Sequence, residues 1–291
     1  MKTSHVLCAR MFAVLLAVMI PAGRLFADDS TNLVQESRWL PWDKGSLKFG
    51  GFVAAFDSTL AFGLNKVGGV NLNAEELLGL DSTLTVFRAD AMFRPGESRR
   101  NQLDFTYAGY HRDASKTLTE DVIIDGVTYT AGAKVGTTFN FDIIRGTYTY
   151  AFLQDERMRI AAGLGVYAVP LKYGLEIETT GGRTKVEGSD TTLPLPALAF
   201  RAEFQLIPKL YLNASIEAMY LQINDFKGSL LDVNVAVEYR IWKHFGLGLG
   251  YSAMAVDVES KNDSSNYPGA DFVGKVGVHF SGLMLYGKLA F

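Results

Sequence analysis

Apolar and polar residues alternate with period 2 along most of this chain, and the minority face carries charges. Over residues 229–241, Leu231, Val233, Val235, Val237, Tyr239 and Ile241 fall on one side, while Asp232, Asn234, Glu238 and Arg240 share the other with Ala236. Residues 84–94 repeat the pattern, with Phe87, Ala89, Ala91 and Phe93 opposing Arg88, Asp90, Met92 and Arg94. Successive side chains of a strand point to opposite faces, so this periodicity predicts strands with one apolar and one polar face. Ten strands are expected, near residues 46–60, 82–94, 100–112, 135–152, 157–176, 191–206, 210–224, 229–241, 245–259 and 271–291.

A soluble sandwich alternates in the same way, its apolar face covered by a second sheet. Composition and the start of the chain favour lipid instead. The sequence is 48% hydrophobic, with 13 Tyr and 19 Phe, yet after residue 27 no segment approaches the roughly 20 apolar residues that a spanning helix needs. A membrane protein without such helices must close its strands into a barrel. Residues 1–27 read as an export signal, with Lys2 and Arg10 ahead of an apolar stretch from Met11 to Ile20 and a cleavage region from Pro21 to Ala27. Residues 28–45 are then a periplasmic N-terminal segment and residues 46–291 the barrel. The expected fold is all-β, a transmembrane antiparallel up-and-down β-barrel of about ten strands, located in the bacterial outer membrane.

The connections support this topology. Pro95-Gly96-Glu97-Ser98, residues 153–156, Ile207-Pro208-Lys209 and Trp242-Lys243-His244 are short and predict periplasmic turns. Residues 61–81, 113–134, 177–190 and 260–270 are longer and predict outer loops, with a brief one near 225–228. Within the second loop, Val122 to Ile124 and Val127 to Tyr129 flank Asp125-Gly126, a type I′ hairpin signal. Two strands change phase midway. Phe139, Phe141 and Ile143 give way to Ile144, Tyr148, Tyr150 and Phe152, and Val276, Val278 and Phe280 give way to Leu283, Leu285, Leu289 and Phe291. A bulge near Ile143-Ile144 and another at Ser281-Gly282 would keep each apolar set on lipid.

These segments together resemble a family of uncharacterised proteobacterial outer-membrane β-barrel proteins, over nearly the whole mature chain. The resemblance rests on Glu75-Glu76-Leu77-Leu78-Gly79-Leu80-Asp81, on Asp125-Gly126 followed by Tyr129-Thr130-Ala131-Gly132, on Tyr148-Thr149-Tyr150-Ala151-Phe152 and on Pro194-Leu195-Pro196. Gly228-Ser229-Leu230-Leu231-Asp232 and the closing Leu283 to Phe291 extend it. It implies a fold and a compartment, and brings no activity or active-site residues.

Charge and cysteine narrow the chemistry. Loss of the signal removes Lys2, Arg10 and Arg24 and no acids, so 28 basic residues become 25 against 31 acidic and the net charge goes from −3 to −6. That balance argues against a nucleic-acid partner. The single cysteine, Cys8, lies in the signal, so the mature chain has no disulfide, thiol nucleophile or thiolate metal site. The faces expected to point inward hold Arg88, Asp90, Asp104, Arg145, Arg159, Arg201, Glu203, Glu217, Asp232, Glu238, Arg240 and Lys275, six of each sign. A ten-stranded barrel is little wider than one that side chains fill, so these charges predict an ion-paired, packed lumen, with a narrow selective passage as the alternative.

Catalytic signals are sparse. His279 and Ser281 stand two apart on a strand, similar to the His-x-Ser pair of outer-membrane lipid A deacylases, but no Asn follows Ser281 and the expected bulge would part them. His111 and His244 are isolated and read as polar rim residues rather than metal ligands. Gly246-Leu247-Gly248-Leu249-Gly250 mimics a phosphate loop, yet small lumen-facing residues between outward leucines explain it without a helix. Pro170, Pro194 and Pro196 are expected toward outer strand ends, and Trp39, Trp42 and Trp242 at the periplasmic interface, or on the barrel floor for those before the first strand. The reading is a monomeric, non-enzymatic barrel without cofactor or metal, serving envelope integrity, limited solute or lipid passage, or surface recognition. Its partners are outer-membrane lipids and the barrel-assembly machinery, met through the strand ending at Phe291. The competing class is an outer-membrane lipid-modifying hydrolase such as a lipid A deacylase.

Overall fold

The computed structural model describes residues 42–62, 70–73, 80–117, 122–124, 127–129, 131–179, 182–260 and 274–291. The signal, most of the N-terminal segment, Trp39 and most of the acidic leucine-rich loop lie outside these residues. Ten long strands form the wall: β1 Gly45–Phe62, β3 Thr83–Phe93, β4 Asn101–Thr117, β7 Lys134–Gln154, β8 Met158–Thr179, β9 Gly182–Ile207, β10 Leu210–Ile223, β11 Phe226–Arg240, β12 Phe245–Ser260 and β13 Gly274–Ala290. Three short strands join them, with β2 Val70–Asn73 against β1, and β5 Val122–Ile124 paired with β6 Val127–Tyr129 as the expected hairpin. Every long strand pairs antiparallel with its sequence neighbour in the wall, and β13 returns to β1 from Ser46↔Ala290 to Phe62↔Gly274, so the sheet closes without a free edge. Among the described residues no helix is long and apolar enough to cross a membrane.

Several strands run further than their periodicity implied. β4 reaches Thr117, and β8 and β9 stay paired up to Thr179↔Gly182, so most of the expected loop at 177–190 is a tall hairpin. The three prolines therefore lie inside strands rather than at their ends. Pro170 faces an interruption in the β7–β8 ladder, which skips from Phe141↔Leu171 to Ile144↔Ala168 without a change of register. Pro194 and Pro196 lie where β9 pairs with β8 alone, since among the described pairs β10 joins it only from Leu198 onward. In both places no ladder bond is demanded of an imide nitrogen.

The two expected bulges are absent, which is the main correction. The β7–β8 register is constant through residues 143 and 144 and shifts only between Ala151 and Leu153, and β13 runs in unbroken register against both β1 and β12 across Ser281-Gly282. What changes midway is the surroundings. Near the short-turn end Tyr148, Tyr150, Phe152, Leu283, Leu285, Leu289 and Phe291 are exposed on the outer wall. Toward the long-loop end the apolar residues lie on the opposite face: Val135, Phe139, Phe141, Ile143, Val276, Val278 and Phe280 are all buried inside. The outer wall there carries His111, Asp142, Asp257, Lys275 and His279.

The lumen is accordingly filled in two tiers. The long-loop half is apolar, built around Tyr110, whose ring centroid lies 4.7 Å from Phe141, 4.9 Å from Phe280 and 5.8 Å from Phe56. Rings at these separations attract beyond the area they bury. Arg112 spreads its guanidinium over the Phe56 ring at 4.3 Å and donates to Ser58 Oγ at 2.7 Å. A void of about 40 Å³ with apolar walls remains among Phe141, Leu171, Leu195, Met254, Val278 and Phe280.

Candidate functional site

The short-turn half of the lumen is the chemically distinctive region, and alternation puts it there: the charged positions share parity with the buried apolar ones further along the same strands. Arg145 is its hub, with Nη1 2.9 Å from Asp232 and 3.3 Å from Glu217 and Nη2 donating to Thr106 Oγ1 at 2.7 Å. Asp232 also accepts from Tyr167 Oη at 2.9 Å and Asn234 Nδ2 at 2.8 Å. Arg201 bridges Glu217 at 3.2 Å and Asp104 at 3.4 Å. Glu217 reaches its partners because Gly165, on the far side of β9 from it, has no side chain; a Cβ there would stand 2.7 Å from Oε2. Arg88 grips Asp90 at 3.1 Å, and Arg94 and Arg159 hold Glu203 at 2.7 and 3.3 Å.

A second cluster centres on Glu238, which accepts from Lys48 Nζ at 2.5 Å, Tyr286 Oη at 2.7 Å and Lys288 Nζ at 2.9 Å. Tyr286 fits because it lies against Gly248, where an added Cβ would fall 2.2 Å from the ring. The glycine run 246–250 thus lies in β12, its glycines inward and Leu247 and Leu249 exposed outside. Asp43, just before β1, pairs with Arg240 at 2.5 Å and Lys288 at 3.1 Å. Trp42 is buried beside it and donates from Nε1 to the Asp155 carbonyl at 2.8 Å, while Arg99 donates to the Trp42 carbonyl. Trp42 thereby crosses the mouth of the barrel, whereas Trp242 is exposed at the turn beside Phe245.

Of the twelve charged residues expected in the lumen, eleven meet there. Lys275 does not: without the bulge it faces outward, 4.0 Å from Asp257 and 43% exposed. Lys48, Arg94, Lys288 and Asp43 belong to the network and were missed. Lys48 shares parity with Ser46 and Gly50, and Lys288 with Tyr286, but short stretches rich in glycine gave no clean alternation to read. Among the described residues the ion-paired tier therefore comprises eight cations, Lys48, Arg88, Arg94, Arg145, Arg159, Arg201, Arg240 and Lys288, against seven carboxylates, Asp43, Asp90, Asp104, Glu203, Glu217, Asp232 and Glu238. Seven of these cations and five of the carboxylates line a polar cavity of about 110 Å³, Arg159, Glu217 and Asp232 lying behind them.

The other candidate chemistry is dispersed. His279 and Ser281 do share the outer wall, but His279 Nε2 lies 3.1 Å from Asp257 Oδ2, and among the described residues no hydrogen bond joins it to Ser281. The acid comes from the neighbouring strand, a partner that reading along β13 could not supply. His111 lies 3.6 Å from Asp142 on the wall, and His244 Nδ1 is 2.8 Å from the Ala290 carbonyl. Among the described residues no group of three or more His, Cys, Asp or Glu side chains is placed to hold a metal.

The closed antiparallel wall and filled lumen define the class as a ten-stranded β-barrel of the outer-membrane type. By sequence, no known protein family and no curated protein matches the chain. By structure it is similar to the outer-membrane protease OmpT of Escherichia coli, at 7% identity and a TM-score of 0.50, covering 88% of this chain and 99% of that one. Weaker likenesses join it to Ail of Yersinia pestis, at 10% identity and a TM-score of 0.30 over 85% and 99% of the two chains, and to a FadL homologue of Pseudomonas aeruginosa, at 8% and 0.33 over 86% and 91%. These likenesses are of fold.

Proposed function

We propose that this chain is an outer-membrane barrel that keeps its lumen shut and acts as a non-enzymatic envelope protein through the wall and hairpins at its long-loop end. The observation that carries the reading is the filling of the lumen at two levels, an aromatic tier around Tyr110 above a layer of ion pairs around Arg145 and Glu238. The fold supports outer-membrane placement, as do the exposed apolar wall from Leu283 to Phe291 and the export signal expected over residues 1–27. On this reading the short turns face the periplasm and the tall β8–β9 hairpin faces outward. Envelope integrity and surface recognition fit a shut barrel better than solute passage does. The hydrolase alternative has an acid beside its histidine, Asp257 at 3.1 Å from His279 Nε2, but lacks the second contact it needs, since among the described residues no hydrogen bond joins His279 to Ser281.

Planar-bilayer recording of the refolded protein tests the reading. Only small, brief events are expected, because the charged tier can pair and no wide aqueous path remains. A steady, ion-selective current of porin size would overturn it, and the lumen charges would then act as a selectivity filter. Lipid analysis of cells lacking the protein, showing loss of a deacylated lipid, would favour the hydrolase.

A further inference from the structure

We propose that the apolar-walled void in the long-loop half of the lumen binds the end of a single acyl chain of a membrane lipid, which reaches it sideways through a seam between β9 and β10. The inference goes beyond the function proposed above and needs no path through the ion-paired tier. It rests on where the wall stops pairing, on the residues that stand there and on what lies behind them.

β9 spans Gly182–Ile207 and β10 spans Leu210–Ile223, yet among the described residues their ladder ends at Leu198↔Ala218. Continued in register, it would set Pro196 opposite Tyr220 and Pro194 opposite Gln222. Both prolines direct their backbone groups to the β10 side. Gln205 N donates to the Arg157 carbonyl on the β8 side, and the β8–β9 register is constant from Met158↔Phe204 to Leu175↔Glu187. The lateral direction of the backbone groups alternates along a strand, so odd-numbered residues of β9 address β8 and even-numbered ones address β10. Two successive bonding positions of this edge therefore carry a nitrogen without a hydrogen, and the seam is written into the sequence. The wall also parts between β3 and β4 above Arg88↔Ala108, but no proline stands there, Leu80 is buried in the aromatic core where the chain leads into β3, and Arg112 donates to the Asp81 carbonyl at 3.4 Å.

Behind the β9 edge lies the void of about 40 Å³, to which Leu193 and Leu195 contribute from β9 and Val169 and Leu171 from β8. Every residue that lines it is apolar, and Val169 and Val256, though turned inward, are only partly buried. A cavity of this kind favours apolar guests over water. The outer wall names the source of the guest: Leu198, at the foot of the seam, is 70% exposed and Leu164 beside it 64%, so a chain leaving hydrocarbon there meets apolar surface on its way in. At rest the void takes only the end of a chain. Further room comes from the β8–β9 hairpin, which has no β10 partner along this edge and whose ladder to β7 is interrupted at Pro170, beside the lining residues Ile143 and Val169.

The test is photolabelling of the refolded full-length protein in phosphatidylcholine vesicles containing a phosphatidylcholine with a diazirine at the end of one acyl chain, the adducts being located by mass spectrometry. Adducts are expected inside, at Leu193, Leu195 or Met254, as well as at Leu285 and Leu289 on the outer wall. Adducts confined to outward residues would overturn the proposal. Leu195→Trp, which fills the void, should lose the inner adducts and keep the outer ones, and inner labelling that survives it would overturn the proposal equally. Val256→Phe serves the same end should Leu195→Trp lack the heat-dependent gel mobility of a folded barrel. Pro194→Val/Pro196→Val restores the two donors, so the amides of residues 196 and 220 should gain protection from hydrogen exchange while inner labelling falls and outer labelling stays. Protection gained with inner labelling unchanged would mean that the chain arrives from the open end of the barrel, and no gain in protection would mean that the prolines do not part the strands; either result refutes the seam.

Discussion

Glu238 is almost wholly buried between two ammonium groups and a phenol, and its replacement by glutamine would leave Lys48 and Lys288 facing a neutral amide. Removing one partner of a buried pair costs about 3–5 kcal/mol, because the charge left behind stays out of water. Lys288 would retain Asp43 at 3.1 Å, so most of the loss should come from Lys48, whose one ion pair among the described residues is with Glu238. Lys48→Met removes the other side of the same pair but leaves Glu238 with Lys288 and Tyr286, and should cost about 1 kcal/mol or less. The double variant Lys48→Met/Glu238→Gln should then recover about 1–3 kcal/mol relative to the sum of the singles. Urea unfolding in phospholipid vesicles, followed by tryptophan fluorescence and by heat-modifiable gel mobility, measures all three. Equal losses from the two single variants, or strict additivity, would refute the asymmetry read from these contacts.

Other expectations follow from which side of the wall a residue meets. Val235→Arg, on the outer wall, should cost about 2–4 kcal/mol near the bilayer midplane. Asn234→Ala, one residue away, should cost about 1–3 kcal/mol for a different reason, since it strips a partner from Arg88 and from Asp232; a neutral Asn234→Ala in urea unfolding would contradict its lumen role. Phe280→Ala should cost about 3–5 kcal/mol, as for a large core side chain, and a near-silent result would place that ring on lipid instead. An epitope inserted between Ile124 and Val127 should be reached by antibody on intact cells while one after Lys209 is not, and the reverse would invert the barrel.

β11 shows why so much of the wall was readable. Over residues 231–241 its larger apolar residues take one parity and its charged ones the other, so a single parity tells both faces apart there, while Phe226 and Leu230 nearer the loops turn inward. β13 shows where reading fails. From Gly274 to Phe280 the strand wants its apolar side inward, and beyond Ser281 it wants it outward, and both demands are met by one straight strand whose surroundings change. A linear pattern cannot separate that from a bulge, because each reverses the apolar parity, and Lys275 was put inside for this reason. The network members left off the inward list differ in cause: Asp43 precedes β1, and Arg94, though read on the polar face with Arg88 and Asp90, ends its expected strand and lies one residue beyond β3. Partners such as Asp257 for His279 or Gly165 beside Glu217 depend on register between strands, which no single segment encodes.

The change of apolar face along unbroken strands makes one molecule answer to two solvents. Near the turns the barrel is built for hydrocarbon, with its charges indoors; beyond the aromatic tier it is built like a water-soluble β protein, with its grease indoors. A leucine added to the outer wall therefore has opposite meanings along a single strand, a better fit to lipid at the level of Leu285 and a sticky patch at the level of His279. Urea acts on the second half through the ordinary weakening of burial from water, so that half should loosen first while the half gripped by lipid stays folded. A barrel of this kind extends its own strands clear of the bilayer without a separate domain to do so.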